Sequence, residues 1–306
     1  MIKTIRSKKL TSKEVATVLG VSEASIKRWA DSGLLPMERT AGGHRRFRPQ
    51  DVATVQREGL DGKKSTGPGR QGKPTKSLSP PPEKALKLAP RKVAALVEDV
   101  FASLVEGREE DLSAMLVNLH LNGHAVGAIL DQFLCVAMNR VGKFWHDGDL
   151  SVAEEHVATS TATAAVRKLR TLVDTSGESG VFALCCSVEE DFHELPVQFA
   201  ALTLEASGIE AFNLGMNTPF FALRETVERF RPDLICVSAT VLSSLDRAAR
   251  EYSDLQKAAR RAKAGIVLGG AGFADLRVRK RLPADLHADD FRSLEEFAKA
   301  LVGKRR

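Results

Sequence analysis

A histidine lies two residues after an aspartate in Asp191-Phe192-His193, between an apolar run ending at Cys186 and an amphipathic stretch from Leu195 to Ser207. Such a pair can bind a metal. One imidazole nitrogen coordinates, and a carboxylate on the other ring nitrogen fixes the tautomer. A second group lies upstream in 144-FWHDGDLSVAEEH-156. Trp145 and His146 close one helical stretch, and Val152, Glu155 and His156 share the first turns of the next because they lie three and four apart. An aromatic plate, a carboxylate and an imidazole gathered there can enclose a polar ligand. A third group is cationic: Lys27 and Arg28 follow Ser22, and His44, Arg45, Arg46 and Arg48 follow the Gly42-Gly43 pair. Its chemistry is phosphate binding. Taken alone, His193 also fits a solvated loop histidine, and the Trp145 group fits a core tryptophan with surface acid and histidine.

The elements that must position these groups are legible in turn. Thr11 with Glu14 three residues on forms a capping box ahead of Val15, Val18 and Leu19. Gly20 ends that helix, and Ser22 caps a second one with Ile26 and Trp29 inward and Lys27 and Arg28 outward. Two extended pieces around Gly42-Gly43 form a basic hairpin, and Pro49 opens another helix. This is a helix-turn-helix with a wing. Residues 60–90 are rich in Gly, Pro, Ser and Lys without a hydrophobic period. They predict a flexible linker with a reach of roughly 30 Å. From 91 to 176 the period is helical, in segments near 91–106, 108–121, 124–145 and 150–175, which predicts a four-helix bundle.

From 177 to 306 strands and helices alternate. Strands are expected at 181–186, 209–214, 233–238, 265–269 and near 286–289. Helices are expected at 195–207, 219–230, 244–263 and 292–302. The fold class is therefore multidomain: a winged helix-turn-helix (1–59), linker (60–90), four-helix bundle (91–176) and a doubly wound parallel α/β sheet (177–306). In such a sheet the loops at the strand C-termini face one way and carry the ligand. Here they hold Asp191 and His193, Leu214-Gly215, Ser238 to Thr240, and Gly269-Gly270.

Of the net charge of +6, residues 1–59 carry +6 and 60–90 carry +5, leaving −5 on the remainder. A basic head on a mildly acidic body points to a polyanion partner at the front end. No apolar run approaches the ~20 residues of a membrane span, and the opening MIKTIRSKKL has no apolar signal region. Cys135, Cys185, Cys186 and Cys236 sit in apolar runs without C-x-x-C spacing and read as buried free thiols in a reducing cytoplasm.

The opening L-T-x-x-E-V-A-x-x-L-G-V-S-x-x-x-I-x-R-W and the G-G-H-R-R-F wing resemble the MerR-type regulators. D-x-H, L-G, S-x-T and G-G after successive strands resemble the cobalamin-binding Rossmann-like domain. Together with W-x₉-E-H in the bundle, nearly the whole chain except the linker is similar to the light-sensing, adenosylcobalamin-dependent MerR-type repressors of carotenoid genes. The resemblance implies that His193 is the lower cobalt ligand with Asp191 behind it. It places the nucleotide tail near Ser238, Thr240, Gly269 and Gly270, and the adenosyl group among Trp145, Val152, Glu155 and His156. His146 takes the upper cobalt site after light. It further implies no enzyme activity, a dark tetramer on double-stranded promoter DNA through Ser22, Lys27, Arg28, His44, Arg45 and Arg46, and a light monomer. The chain departs from the pattern at Pro196, where cobalamin enzymes have glycine; proline is tolerated in a helix's first turn. Two alternatives stay open: a regulator of this architecture that needs no cobalamin or works through a protein antagonist, and a corrinoid methyl carrier, which has no reason to carry the head.

Overall fold

A computed structural model of the chain describes residues 9–19, 23–31, 35–40, 42–48, 51–52, 55, 88–173 and 179–305. The Gly20 stop, the Ser22 cap, Pro49 and nearly all of the linker lie outside them.

In the head, α1 (Ser12–Leu19) begins with the expected capping box. The Thr11 backbone N–H donates to Glu14 Oε2 at 2.7 Å, and the Glu14 N–H donates to Thr11 Oγ1 at 3.3 Å. Val15 and Val18 pack with Ile26 and Ala30 of α2 (Glu23–Asp31) and with Leu35, Phe47 and Val52. Strand β1 (Glu38–Arg39) pairs antiparallel with β2 (Arg45–Arg46), which is the wing. A Leu10–Phe47 bridge ties the wing's base to the start of the chain.

The bundle comprises α3 (Pro90–Val105), α4 (Glu109–Leu121), a third helix, and α7 (Val152–Arg170). The third helix is not continuous. It starts as α5 (Val126–Ile129), passes through a π-helical turn (Leu130–Leu134) and resumes as α6 (Cys135–Asp147). Periodicity alone hides a single wide turn, because apolar Leu130, Phe133 and Leu134 remain buried through it. The π turn carries Asp131, whose carboxylate accepts from the Phe291 and Arg292 N–H groups at 3.0 and 2.9 Å. These are orphan donors at a helix N-terminus in the next domain. Burial comes first among the influences on the Asp131 carboxyl and raises its pKa against those two bonds.

The last domain is a five-stranded parallel sheet in the order β4-β3-β5-β6-β7. Its strands are β3 (Phe182–Val188), β4 (Glu210–Thr218), β5 (Leu234–Ser238), β6 (Gly265–Gly269) and β7 (Leu286–Ala288). The order reverses at β3, so the crevice between β3 and β5 is the switch point where open α/β sheets bind ligands. Helices α9 (Phe220–Phe230) and α10 (Leu245–Ala262) cover one face, over Leu184, Cys186 and Val237. Helices α8 (Leu195–Ala206) and α12 (Phe291–Gly303) cover the other, over Ala183, Cys185 and Val267. A short helix the sequence reading missed, α11 (Leu276–Arg281), follows β6. Strand β4 runs four residues past its expected end.

Helix α8 is apolar nearly all round because it has two partners. Val197, Ala200, Ala201 and Leu204 face the sheet, while Leu195, Phe199 and Leu202 join the bundle's core. A helix buried on both sides needs no polar face. Two further bonds fasten the domains. Arg170 at the end of α7 pairs with the buried Glu205 of α8, and the Gly127 N–H donates to Glu295 Oε2 at 3.2 Å. A Cβ on Gly127 would come within 2.8 Å of the Phe291 carbonyl oxygen, so this close approach requires glycine. The head also touches the bundle: Lys168 Nζ donates to Glu14 Oε1 at 2.7 Å. Burial would raise the Glu14 pKa, but the bonds from Lys168 and Thr11 outweigh it and hold it at about 2.

Among the described residues no helix is long and apolar enough to cross a membrane. Cys185, Cys186 and Cys236 are buried free thiols as expected; Cys135 is half-buried, and burial pushes it up to about 12.

Candidate functional site

The loop from Glu189 to Glu194 leaves β3 at the switch point. Asp191 is 1% exposed, yet its carboxylate is saturated. Oδ2 accepts from the Thr240 N–H at 2.6 Å, and Oδ1 accepts from the His193 N–H at 3.1 Å and faces His193 Nδ1 at 2.6 Å. A buried carboxylate is tolerated only when paired in this way. With Nδ1 engaged, Nε2 is the nitrogen left for a metal, on a side chain that is 55% exposed. Phe192 beside it is 65% exposed. The Asp-x-His spacing therefore yields the carboxylate–imidazole contact expected from the sequence. Pro196 sits in the first turn of α8, where its missing N–H costs no helix bond.

Ser238 ends β5 and is buried; Thr240 lies in the loop after it. Gly269 ends β6, and Gly270 follows with φ 98° and ψ 168°. A Cβ on Gly270 would lie 2.5 Å from the Ala239 carbonyl oxygen, and one on Gly272 2.9 Å from Ala239 Cβ. The β5 and β6 loops thus touch through glycine, close to the Thr240 N–H that holds Asp191. Gly270→Ala is expected to destabilise the domain by about 1–3 kcal/mol from backbone strain alone, before any clash. The check is a thermal or urea melt of the full chain, and an unchanged midpoint contradicts it.

At the bundle's end, Trp145 and His146 occupy the last turn of α6, and Gly148 stops it in a left-handed cap. Ser151 caps α7 in a capping box with Glu154. This turn brings Trp145 near the start of α7, where Val152, Glu155 and His156 lie. Glu155 Oε1 accepts from Thr159 Oγ1 at 2.7 Å, and Oε2 lies 3.6 Å from His156 Nε2. Trp145 and Val152 are about half exposed. Such exposed apolar side chains at the bundle's end are surface that a ligand would cover. The structure assembles each half, bundle end and sheet loops, within itself. None of the interdomain bonds named above involves these residues. The chain's own groups therefore fit a corrinoid: an imidazole nitrogen fixed by a buried carboxylate beside glycine-bearing loops, and, at the bundle's end, exposed apolar side chains with a carboxylate and an imidazole.

In the head, Lys27, Arg28 and His44 are exposed, and Arg46 is half-buried. Lys27 pairs with Glu23 at 2.8 Å. Arg45 differs from expectation. It grips Asp31 bidentately at 2.7 Å to each oxygen, and only a fifth of its side chain is exposed. It braces the wing against α2 rather than standing free for a phosphate. Ser22 lies outside the described residues.

Sequence reasoning missed Asn217 and Ser187, which hold the Asp191 loop from behind. The available signal was an asparagine, a poor strand former, inside an otherwise extended segment.

Comparison with known proteins agrees with this layout. A helix-turn-helix domain family matches residues 10–59, and two B12 binding domain families match 96–170 and 183–298. Among relatives, dimethylamine corrinoid protein 1 of Methanosarcina mazei is 25% identical over 181 residues, 58% of this chain and 82% of its own. The HTH-type transcriptional repressor CarH of Myxococcus xanthus is 26% identical over 262 residues, 78% of this chain and 80% of its own. The monomethylamine corrinoid protein of Methanosarcina barkeri has a solved structure that covers 68% of this chain and 99% of its own. The two superpose with a TM-score of 0.57 at 16% identity, a likeness of fold.

Proposed function

We propose that this chain, a CarH-like, B12-dependent regulator by its domains and their order, is a light-responsive transcriptional repressor with adenosylcobalamin as its chromophore. The observation that carries the reading is the union, in one chain, of a winged head with both halves of the site: His193 fixed by Asp191, and Trp145, Val152, Glu155 and His156 on the bundle. The cofactor supplies the photochemistry, since its cobalt–carbon bond is broken by light.

The protein's share is binding and readout. His193 Nε2 would hold the cobalt, with Asp191 keeping that imidazole in the right tautomer. Ser238, Thr240, Gly269 and Gly270 would receive the nucleotide tail. Trp145 and Val152 cover the adenosyl group, and Glu155 and His156 bond its polar edge. With adenosyl in place, bundle and sheet are held together in the form that assembles into a tetramer on promoter DNA. Several heads on one operator gain from effective concentration, so falling to monomers releases DNA. His146 would be the second imidazole available to the cobalt after illumination. The repressor works in the cytoplasm and not as an enzyme.

A corrinoid methyl carrier is the second reading, favoured by the match to the dimethylamine corrinoid proteins. That match spans 58% of the chain, whereas the match to the repressor spans 78%. A carrier also has no use for residues 10–59. A regulator of this architecture that needs no cobalamin, or that answers to a protein antagonist, is the third.

The test is light scattering on size-separated protein. Adenosylcobalamin in the dark is expected to raise the mass to a tetramer, green light to lower it to a monomer, and methylcobalamin, lacking adenosine, to do little. One unchanging species in all conditions overturns the proposal. Cobalamin uptake without any change in mass supports the carrier.

A further inference from the structure

Two residues of the His193 loop region have left-handed backbones although neither is glycine: Glu190 at φ 64° and Asn217 at φ 54°. They are bonded to each other, the Glu190 N–H donating to Asn217 Oδ1 at 2.8 Å. The Asn217 N–H in turn lies 3.0 Å from both the Asp191 carbonyl oxygen and Ser187 Oγ. Ser187 is fully buried, and its hydroxyl donates to that same Asp191 oxygen at 2.7 Å. Asp191 is therefore held at its backbone from β3 and β4 and at its side chain from the β5 loop through the Thr240 N–H. The register of β3 with β4 shifts on both sides of Cys186, which lets Asn217 reach the loop instead of a ladder partner.

Non-glycine residues in this region of backbone space are uncommon, and asparagine is among the few that tolerate it. Paired strain of this kind persists where surrounding bonds over-determine it. A solvated loop would relax it. The conformation fixes where the chain turns between Val188 and Asp191, and hence the height at which His193 stands over the sheet's edge.

We infer that Asn217 is a positioning residue for His193: its side-chain carbonyl pins Glu190 and its N–H pins Asp191, so that the imidazole is set for cobalt before any corrinoid arrives. The inference rests on the cobalamin reading above. Substitutions can separate its two contributions. Asn217→Gly keeps the left-handed backbone and the N–H and removes only the acceptor for Glu190. Asn217→Asp keeps both.

The experiment uses the full chain with hydroxocobalamin as probe. Hydrogen exchange over residues 189–194 is measured without cobalamin, and affinity is measured by absorbance. Asn217→Gly is expected to speed exchange in that segment and to weaken hydroxocobalamin binding roughly 3–10-fold, the range for one lost hydrogen bond. Asn217→Asp is expected to behave as wild type in both. In a His193→Ala background, Asn217→Gly is expected to change affinity by less than ~2-fold, because it acts through the imidazole. Equal losses in both backgrounds, or wild-type exchange and affinity in Asn217→Gly, overturn the positioning role and leave the cobalamin reading standing. A wild-type chain that takes up no hydroxocobalamin overturns both.

Discussion

His193→Ala is expected to weaken cobalamin uptake in the dark by roughly 100-fold or more, while His146→Ala leaves dark uptake and tetramer formation as in wild type. The asymmetry follows from where each imidazole stands. His193 Nδ1 is locked by a buried carboxylate that is itself fixed by the Thr240 N–H. Groups that orient a metal ligand are worth roughly 10–100-fold in metal affinity, and the ligand itself sits at or above the top of that range. Asp191→Ala is expected to fall within it, because it also leaves the Thr240 and His193 N–H groups without their acceptor. His146 stands in the last turn of α6, on the bundle, next to a tryptophan assigned to the adenosyl group. Its contribution is expected after illumination only: His146→Ala loses the absorbance of a cobalt with two imidazoles and holds its cobalamin less firmly. Spectra of the two variants before and after green light check this. An unaltered light-state spectrum in His146→Ala refutes the upper-ligand role, and full dark uptake by His193→Ala refutes the lower one.

What could be read from the sequence follows the range of the interactions involved. The Thr11–Glu14 capping box, the paired strands of the wing and every strand of the sheet were legible because they are written in spacing over a few residues. The Asp191–His193 contact was legible for the same reason. The π turn at Leu130–Leu134 was not, because its residues keep an apolar pattern, and the bonds its Asp131 makes are to α12 of the next domain. Asn217 was hidden likewise. It lies 27 residues from Glu190, and only the packing of β4 beside β3 brings them together. Arg45 shows what charge alone leaves out. Charge at a wing tip reads as phosphate contact, but an aspartate 14 residues earlier engages it. Local pattern thus identifies which groups can do chemistry, while the frame that aims them is set by long-range contacts.

That distinction shapes the expected response of DNA binding to salt and to single charges. The head and linker together carry all of the chain's positive excess. Binding of the chain to promoter DNA is expected to fall roughly 10³-fold or more between 50 and 200 mM salt, because each counterion released from the phosphates gains less entropy as bulk salt rises. Arg28 and Arg45 are expected to contribute differently. Arg28 is exposed on α2, so Arg28→Ala should weaken binding to all sequences and lower the salt slope by about 1 per head engaged. Arg45 already has its charge met by Asp31, which is held below the usual carboxylate range by that bond. Arg45→Ala should therefore weaken binding by freeing the wing from α2, with little change in slope and with Asp31 left as an uncompensated negative charge facing DNA. An Asp31→Asn, Arg45→Gln pair removes that charge and should recover part of the loss. Affinity measured across a salt series for these variants, with cobalamin uptake as the control, separates bracing from contact. A drop in slope for Arg45→Ala equal to that for Arg28→Ala would place Arg45 on phosphate after all, with the Asp31 bond broken in the DNA complex.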